Sequence, residues 1–135
     1  ISKLQTFEKD ELSIRTKETV HKFRVEIARR PNQHMQGLMF RRQLAANAGM
    51  LFLYSNPTRA NMWMKNTFIP LDMLYIDGTG KIVGFSERAV PGSLQVISSS
   101  MPVIAVLEVN AGTVSNLNIA VGDQVLYPAF QPGSK

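Results

Sequence analysis

Polar and apolar residues alternate cleanly from His21 to Ala28. Phe23, Val25 and Ile27 fall on one face, and Lys22, Arg24 and Glu26 on the other. A period of two predicts a half-buried strand. Val103–Val109 is a continuous apolar run with β-branched residues, which predicts a buried strand. Gly49–Tyr54, Ala60–Met64 and Phe68–Asp77 predict further strands, the last interrupted by Pro70. Asp77-Gly78-Thr79-Gly80 is a tight-turn signal leading into a partner strand over Lys81–Val90. Residues 1–20 read as a hairpin or strand extension turning at Lys9-Asp10-Glu11.

Pro31 suits a helix start, and Met35, Leu38, Met39 and Leu44 follow at helical spacing, so the pattern predicts a helix over 31–44, weakened by Gly37. Asn110–Asn118 predicts a second short helix, with Asn110 as cap and Leu117 as inward anchor. Residues 55–59 and 91–102 read as loops, Val121–Tyr127 as a turn into the last strand, and 128–135 as a tail. The sum is a mainly β protein, α+β at the margin: a small, single-domain, barrel-like or sandwich-like antiparallel sheet with one or two short helices.

The length of 135 residues suits one domain with a real core. No apolar run approaches the ~20 residues of a membrane span, so no transmembrane segment is expected. The absence of cysteine excludes disulfides, thiolate catalysis and Cys-based zinc sites. The chain starts at Ile1 rather than Met, which suggests a removed signal peptide and a periplasmic or otherwise exported protein; a cytoplasmic location stays open.

Charge sharpens this picture. Between Ile27 and Leu71 there is no Asp or Glu, while Arg29, Arg30, Arg41, Arg42, Arg59 and Lys65 all lie there. Such a field attracts anions unless acids from elsewhere, such as Glu108 or Asp72, fold back beside it. The basic residues are not interleaved with aromatics in a known module, so nucleic acid is not an expected partner.

Four stretches stand in a recognisable order: GLMFRRQL at 37–44, GMLFLY at 49–54, MWMKNTFIPLDMLYIDGTGKIV at 62–83 and VLEVNAG at 106–112, followed by VGDQV at 121–125. In these the chain resembles the uncharacterised prokaryotic domain-of-unknown-function family 192, over about residues 23–126. The resemblance implies one compact β-rich domain, often in exported or membrane-anchored proteins, and no assigned activity.

The candidate chemistry centres on MWMKNT and PLD. If 62–67 is a strand, Met62, Met64 and Asn66 share one face and Trp63, Lys65 and Thr67 the other. Asp72, beyond the Pro70 bend, is then a plausible ion-pair partner for Lys65. Used functionally, Arg41, Lys65, Asn66 and Thr67 would accept a carboxylate, a phosphate or an acidic sugar, with Trp63 stacking and Asp72 orienting Lys65. The expected partner is thus a small anionic or saccharide ligand, or a protein, with oligomeric state open. A hydrolase or lyase would need Asp72 or Glu108 as base, and no catalytic motif joins them. The residues favour a non-enzymatic binding or accessory domain that needs no cofactor. A third reading takes His34, Met35, Met62 and Met64 as Cu(I) ligands, against the plainer account that methionine fills core gaps. His21 and His34 otherwise read as surface residues.

Overall fold

The computed structural model describes residues 3–131. Its strands are β1 (Glu8–Arg15), β2 (Val20–Ala28), β3 (Ala48–Met62), β4 (Leu71–Ile76), β5 (Ile82–Ala89), β6 (Ile97–Asn110) and β7 (Gln124–Leu126). Two short helices, α1 (Pro31–Gln36) and α2 (Thr113–Asn116), interrupt them. All seven strands join one sheet in the order β5-β4-β6-β3-β2-β1-β7. The sheet curls until its outer strands meet at the bridge Lys81↔Gln124, reinforced by the Val125 N–H donating to the Gly80 carbonyl at 2.7 Å. The result is the half-barrel of a mainly β, single-domain protein.

The sheet is not wholly antiparallel, as the turn signals suggested. β2 and β3 run parallel, from Arg24↔Ala48 to Ala28↔Phe52. A parallel pair needs a long crossover, and the segment 29–47 with α1 supplies it. The helix expected over 31–44 stops at Gln36, because Gly37 turns away with φ +51. Lys9-Asp10-Glu11 lies inside β1 rather than in a turn; β1 instead pairs with both β2 and β7. Residues 55–59 are not a separate loop but a register shift within β3, where Pro57 lacks the N–H a regular ladder needs. The Ser99 hydroxyl accepts from the Ala60 N–H at 2.9 Å and helps close that irregularity. Of the stretch 91–102, residues from Ile97 onward belong to β6. Asn110 does not cap α2; Gly112 takes the N-cap position. Residues 132–135 of the expected tail lie outside the described residues, but Phe130 before them is buried in the core.

Side-chain alternation gives the sheet two buried faces. Ile14, Val25, Leu51, Leu74, Leu107 and Val125 fill the inside of the curl. Met50, Phe52, Leu71, Met73, Tyr75 and Val106 face the other way, beneath Leu38, Met64 and Ile69.

Gly80 holds the meeting point of the two edges. Its φ is +89, and a Cβ there would lie 2.5 Å from the Val125 carbonyl oxygen. Gly92, at φ +77, has open space around it. Gly80→Ala is therefore expected to destabilise the domain by clearly more than the ~1 kcal/mol left-handed strain that Gly92→Ala introduces. Urea unfolding of the two variants checks this.

Candidate functional site

Alternation decides which acids can meet. On β4, Leu71, Met73 and Tyr75 face one core, and Asp72, Leu74 and Ile76 face the other. On β6, directly opposed partners share a face, so Glu108 stands between Met50 of β3 and Met73 of β4. Asp72 opposes Val109, which belongs to the inner core. Asp72 and Glu108 therefore project from opposite faces of the sheet and cannot act on one ligand atom.

Asp72 is fully buried and well compensated. Its Oδ1 accepts from the Arg88 N–H at 2.9 Å, and its Oδ2 from the Gly112 and Val114 N–H groups at 3.1 and 2.9 Å. The carboxylate thus ties the end of β5 and the start of α2 to β4, satisfying amides that a four-residue helix cannot satisfy itself. The expected Lys65–Asp72 ion pair does not form: Lys65 is exposed, with Nζ 5.2 Å from the Trp63 ring centroid.

The Lys-Asn-Thr motif is a turn and not a strand, because β3 ends at Met62. The Thr67 N–H donates to the Met64 carbonyl at 3.0 Å, and Asn66 occupies the left-handed region with φ +55, which Asn tolerates. The Asn66 carbonyl accepts from the Phe40 N–H at 2.8 Å, and the Thr67 hydroxyl donates to the Lys65 carbonyl at 3.1 Å. Trp63 is left 42% exposed while Met64 is sealed in the core. Arg41 is elsewhere: its guanidinium makes a bidentate pair with Glu26 at 2.7 and 3.0 Å. The fold therefore does not gather Arg41, Lys65, Asn66 and Thr67 into one anion cradle. Of the cations in the acid-free segment, Arg29 pairs with Glu8 and Arg41 with Glu26, so Glu108 and Asp72 are not the acids that fold back. Arg30, Arg42, Arg59 and Lys65 have no acidic partner among the described residues.

Among the described residues, two of the clefts bear on this question. One of about 700 Å³ is lined by Lys9, Glu11, Arg24, Glu26 and Arg41. Its charges largely satisfy each other, through Arg24–Glu11 and Arg41–Glu26. The other, of about 410 Å³, lies beside α1 and brings together His34, Met35, Met39, Met62, Trp63 and Glu108, with Thr67 at its wall. Here the groups are not mutually satisfied. Glu108 is only 4% exposed and no described residue donates a hydrogen bond to it, but its carboxyl oxygens open to the cleft and are not sealed off without a partner as His21 Nε2 is. Burial pushes its pKa from 4.5 up to about 8. Burial also raises the two nearby tyrosines, with the Glu108 charge adding to it, and lifts Tyr54 to about 12.

His34 is half-buried rather than a surface residue. Its Nε2 lies 2.9 Å from the Ala28 carbonyl, and its ring meets Phe52 and Tyr54 edge-on, with centroids 5.6 and 5.0 Å apart. A carbonyl only accepts, so Nε2 carries a proton and Nδ1 is the nitrogen turned away from that contact. The Tyr54 hydroxyl donates to the Met62 sulfur at 3.8 Å. Three of the four proposed copper ligands, His34, Met35 and Met62, thus line one cleft; Met64 does not. Met39 lines it too, which its place in an apolar pattern concealed. No three His, Asp or Glu side chains gather as a metal site among the described residues.

A curled sheet with a small cleft beside the crossover helix defines a compact β domain. The family model DUF192, described as "Uncharacterized ACR", matches residues 12–127. The chain belongs to this family. The match starts at Leu12 rather than near Phe23, in keeping with β1 being an integral strand. A candidate transcription regulator from Sinorhizobium meliloti 1021 is 42% identical, with a TM-score of 0.91 over 95% of this chain and 100% of that one. A protein of unknown function from Novosphingobium aromaticivorans DSM 12444 is 34% identical, with a TM-score of 0.86 over 88% of this chain and 85% of that one. Comparison with curated proteins gave no match.

Two predictions separate the acids. Asp72→Ala leaves three amides without their acceptor and is expected to cost about 3 kcal/mol or more. Lys65→Ala should change stability by less than ~0.5 kcal/mol in urea unfolding; equal losses would restore the ion pair. For Glu108, the folded chain holds its proton up to pH about 8, whereas the unfolded chain releases it near 4.5. The folded state binds more protons between these values, so this group's contribution is complete below pH 4.5 and is lost as pH rises to about 8. The slope it adds is at most ~1.4 kcal/mol per pH unit. Glu108→Gln is expected to flatten the stability–pH curve in that window, read by urea unfolding at stepped pH.

Proposed function

We propose that the protein is a non-enzymatic ligand-binding domain working outside the cytoplasm, that the cleft beside α1 is its site, and that its ligand presents a positive group to Glu108. One observation carries this reading: a buried carboxyl faces a cleft of thioethers, an imidazole and an indole, and no described residue donates to it. Buried polar groups are normally partnered. A cation entering the cleft would supply the partner that the fold withholds, and the Trp63 face would favour the same charge. The anionic ligand expected from the acid-free segment has weaker support, since its four donors are dispersed. Catalysis on an anionic substrate has weaker support for a related reason, since Asp72 stands on the other face. The location outside the cytoplasm follows the family resemblance, since a cysteine-free chain fits either compartment. The regulator description of the Sinorhizobium relative would bring DNA as a partner; helices of six and four residues are too short to lie along a major groove, which favours a small ligand.

A second reading narrows the cation to Cu(I). It is favoured by the His34 imidazole, held by the Ala28 carbonyl in the way metal-bound imidazoles are held, and by the thioethers of Met35 and Met62 in the same cleft.

Thermal shift of the purified domain tests both. The panel is a primary amine, a quaternary ammonium, Ag(I) as a stable stand-in for Cu(I), phosphate and a small carboxylate. A cation at a hundred times its Kd should add ~2.7 kcal/mol of stability. The gain should vanish in Glu108→Gln. A gain from Ag(I) that is lost in Met62→Leu and His34→Asn selects copper. Stabilisation by anions alone, retained in Glu108→Gln, overturns the reading.

A further inference from the structure

A second surface adjoins the cleft and shares Trp63 with it. Phe40, Trp63, Phe68 and Leu94 are all large apolar residues between 42% and 64% exposed. They come from three segments of the chain that backbone hydrogen bonds knit into one corner. The Phe40 N–H donates to the Asn66 carbonyl at 2.8 Å, and the Met64 N–H to the Ser93 carbonyl at 3.1 Å. The Gly92 N–H is shared between the Met64 and Thr67 carbonyls, at 3.0 Å each. Folding thus pins these apolar side chains outward at the tips of tight turns.

Two of the four carry a cation on the ring. The Arg42 guanidinium lies 5.5 Å from the Phe68 centroid, and the Lys65 ammonium 5.2 Å from the Trp63 centroid. Neither cation has an acidic partner among the described residues. The corner is built from two stretches that contain no Asp or Glu at all, 27–71 and 88–107.

Charge narrows the partner: the exposed apolar tips stand beside cations that have no acidic partner among the described residues. At a bilayer surface, indole and phenyl rings settle at the headgroup level and Lys and Arg reach the anionic phosphates beside them. We infer that this corner docks peripherally on anionic phospholipid bilayers, with Trp63 and Phe68 entering the headgroup region and Arg42 and Lys65 contacting lipid phosphate. Trp63 also lines the cleft, but Phe40, Arg42, Lys65, Phe68 and Leu94 do not, so the inference does not rest on the proposed cleft ligand.

Trp63 is the only tryptophan of the chain, so its emission reports this surface together with the cleft edge it adjoins. The intact domain is titrated with phosphatidylcholine–phosphatidylglycerol vesicles and with pure phosphatidylcholine vesicles, alongside co-sedimentation. The expected result is a blue shift of Trp63 emission and co-sedimentation with the anionic vesicles alone, reversed by high salt. Each of Arg42→Gln and Lys65→Gln should weaken partitioning about five-fold, the effect of ~1 kcal/mol per cation. Phe68→Ala should weaken it with Trp63 still reporting, and unchanged melting temperatures would show that these variants are folded. No shift with anionic vesicles, or an equal and salt-insensitive shift with uncharged ones, overturns the proposal. A shift that grows with protein concentration in the absence of lipid also overturns it, and assigns the corner to self-association.

Discussion

The structure depends on one sheet having both faces buried. In most small antiparallel sheets one face is solvated and can hold polar residues freely. Here every residue of β4 is buried, as are Gly49–Phe52 of β3 and Ala105–Val109 of β6 beside it. A polar side chain in this central part of the sheet has no cheap exit, whichever way it points. The chain nevertheless places one carboxyl on each side, Asp72 within the curl and Glu108 on the outer face. The fold treats them oppositely. Asp72 receives three backbone amides and becomes a joint between β4, β5 and α2. Glu108 receives no donor and faces a cleft.

That asymmetry separates structure from function more sharply than position in the sequence does. A buried carboxylate with three N–H donors stabilises the segments that provide them. A buried carboxyl with none destabilises the domain as pH rises, and a plain apolar residue between Met50 and Met73 would serve packing better. A group that weakens the fold and opens to a cleft is the better candidate for a ligand contact.

Much of the fold was legible because the alternation is local. Phe23, Val25 and Ile27 face one core as their spacing predicts, and Val103–Val109 is a buried strand. What was not legible is non-local. No feature of residues 20–28 or 48–52 announces a parallel pairing, which is set by the long crossover between them. Pro57 reads as a loop signal, and only the register of β6 shows that β3 continues past it. The site was half visible. Trp63, Thr67, His34, Met35 and Met62 do converge, whereas Arg41 and Asp72 are taken by partners that lie 15 to 42 residues away in sequence. Glu108 carried a signal of its own, as a lone acid within an apolar run, but its isolation is a property of the register with Met50 and Met73.

The acid-free stretches and the isolated carboxyl belong to one electrostatic arrangement. Arg30, Arg42, Arg59 and Lys65 have no acidic partner among the described residues, and cations favour an ionised carboxylate. Glu108 nevertheless holds its proton to pH about 8, with burial as the cause. The magnitudes show why. A rise of that size corresponds to about 5 kcal/mol of differential solvation. A solvated cation even 4 Å away returns only ~1 kcal/mol in water, and salt reduces it further. Arg42 and Lys65 lie over exposed rings, where their heads remain in water. Their field can therefore act on an approaching charged surface without ionising the buried acid. A ligand cation that enters the cleft loses that screening, so it couples to Glu108 far more strongly than the surface charges do.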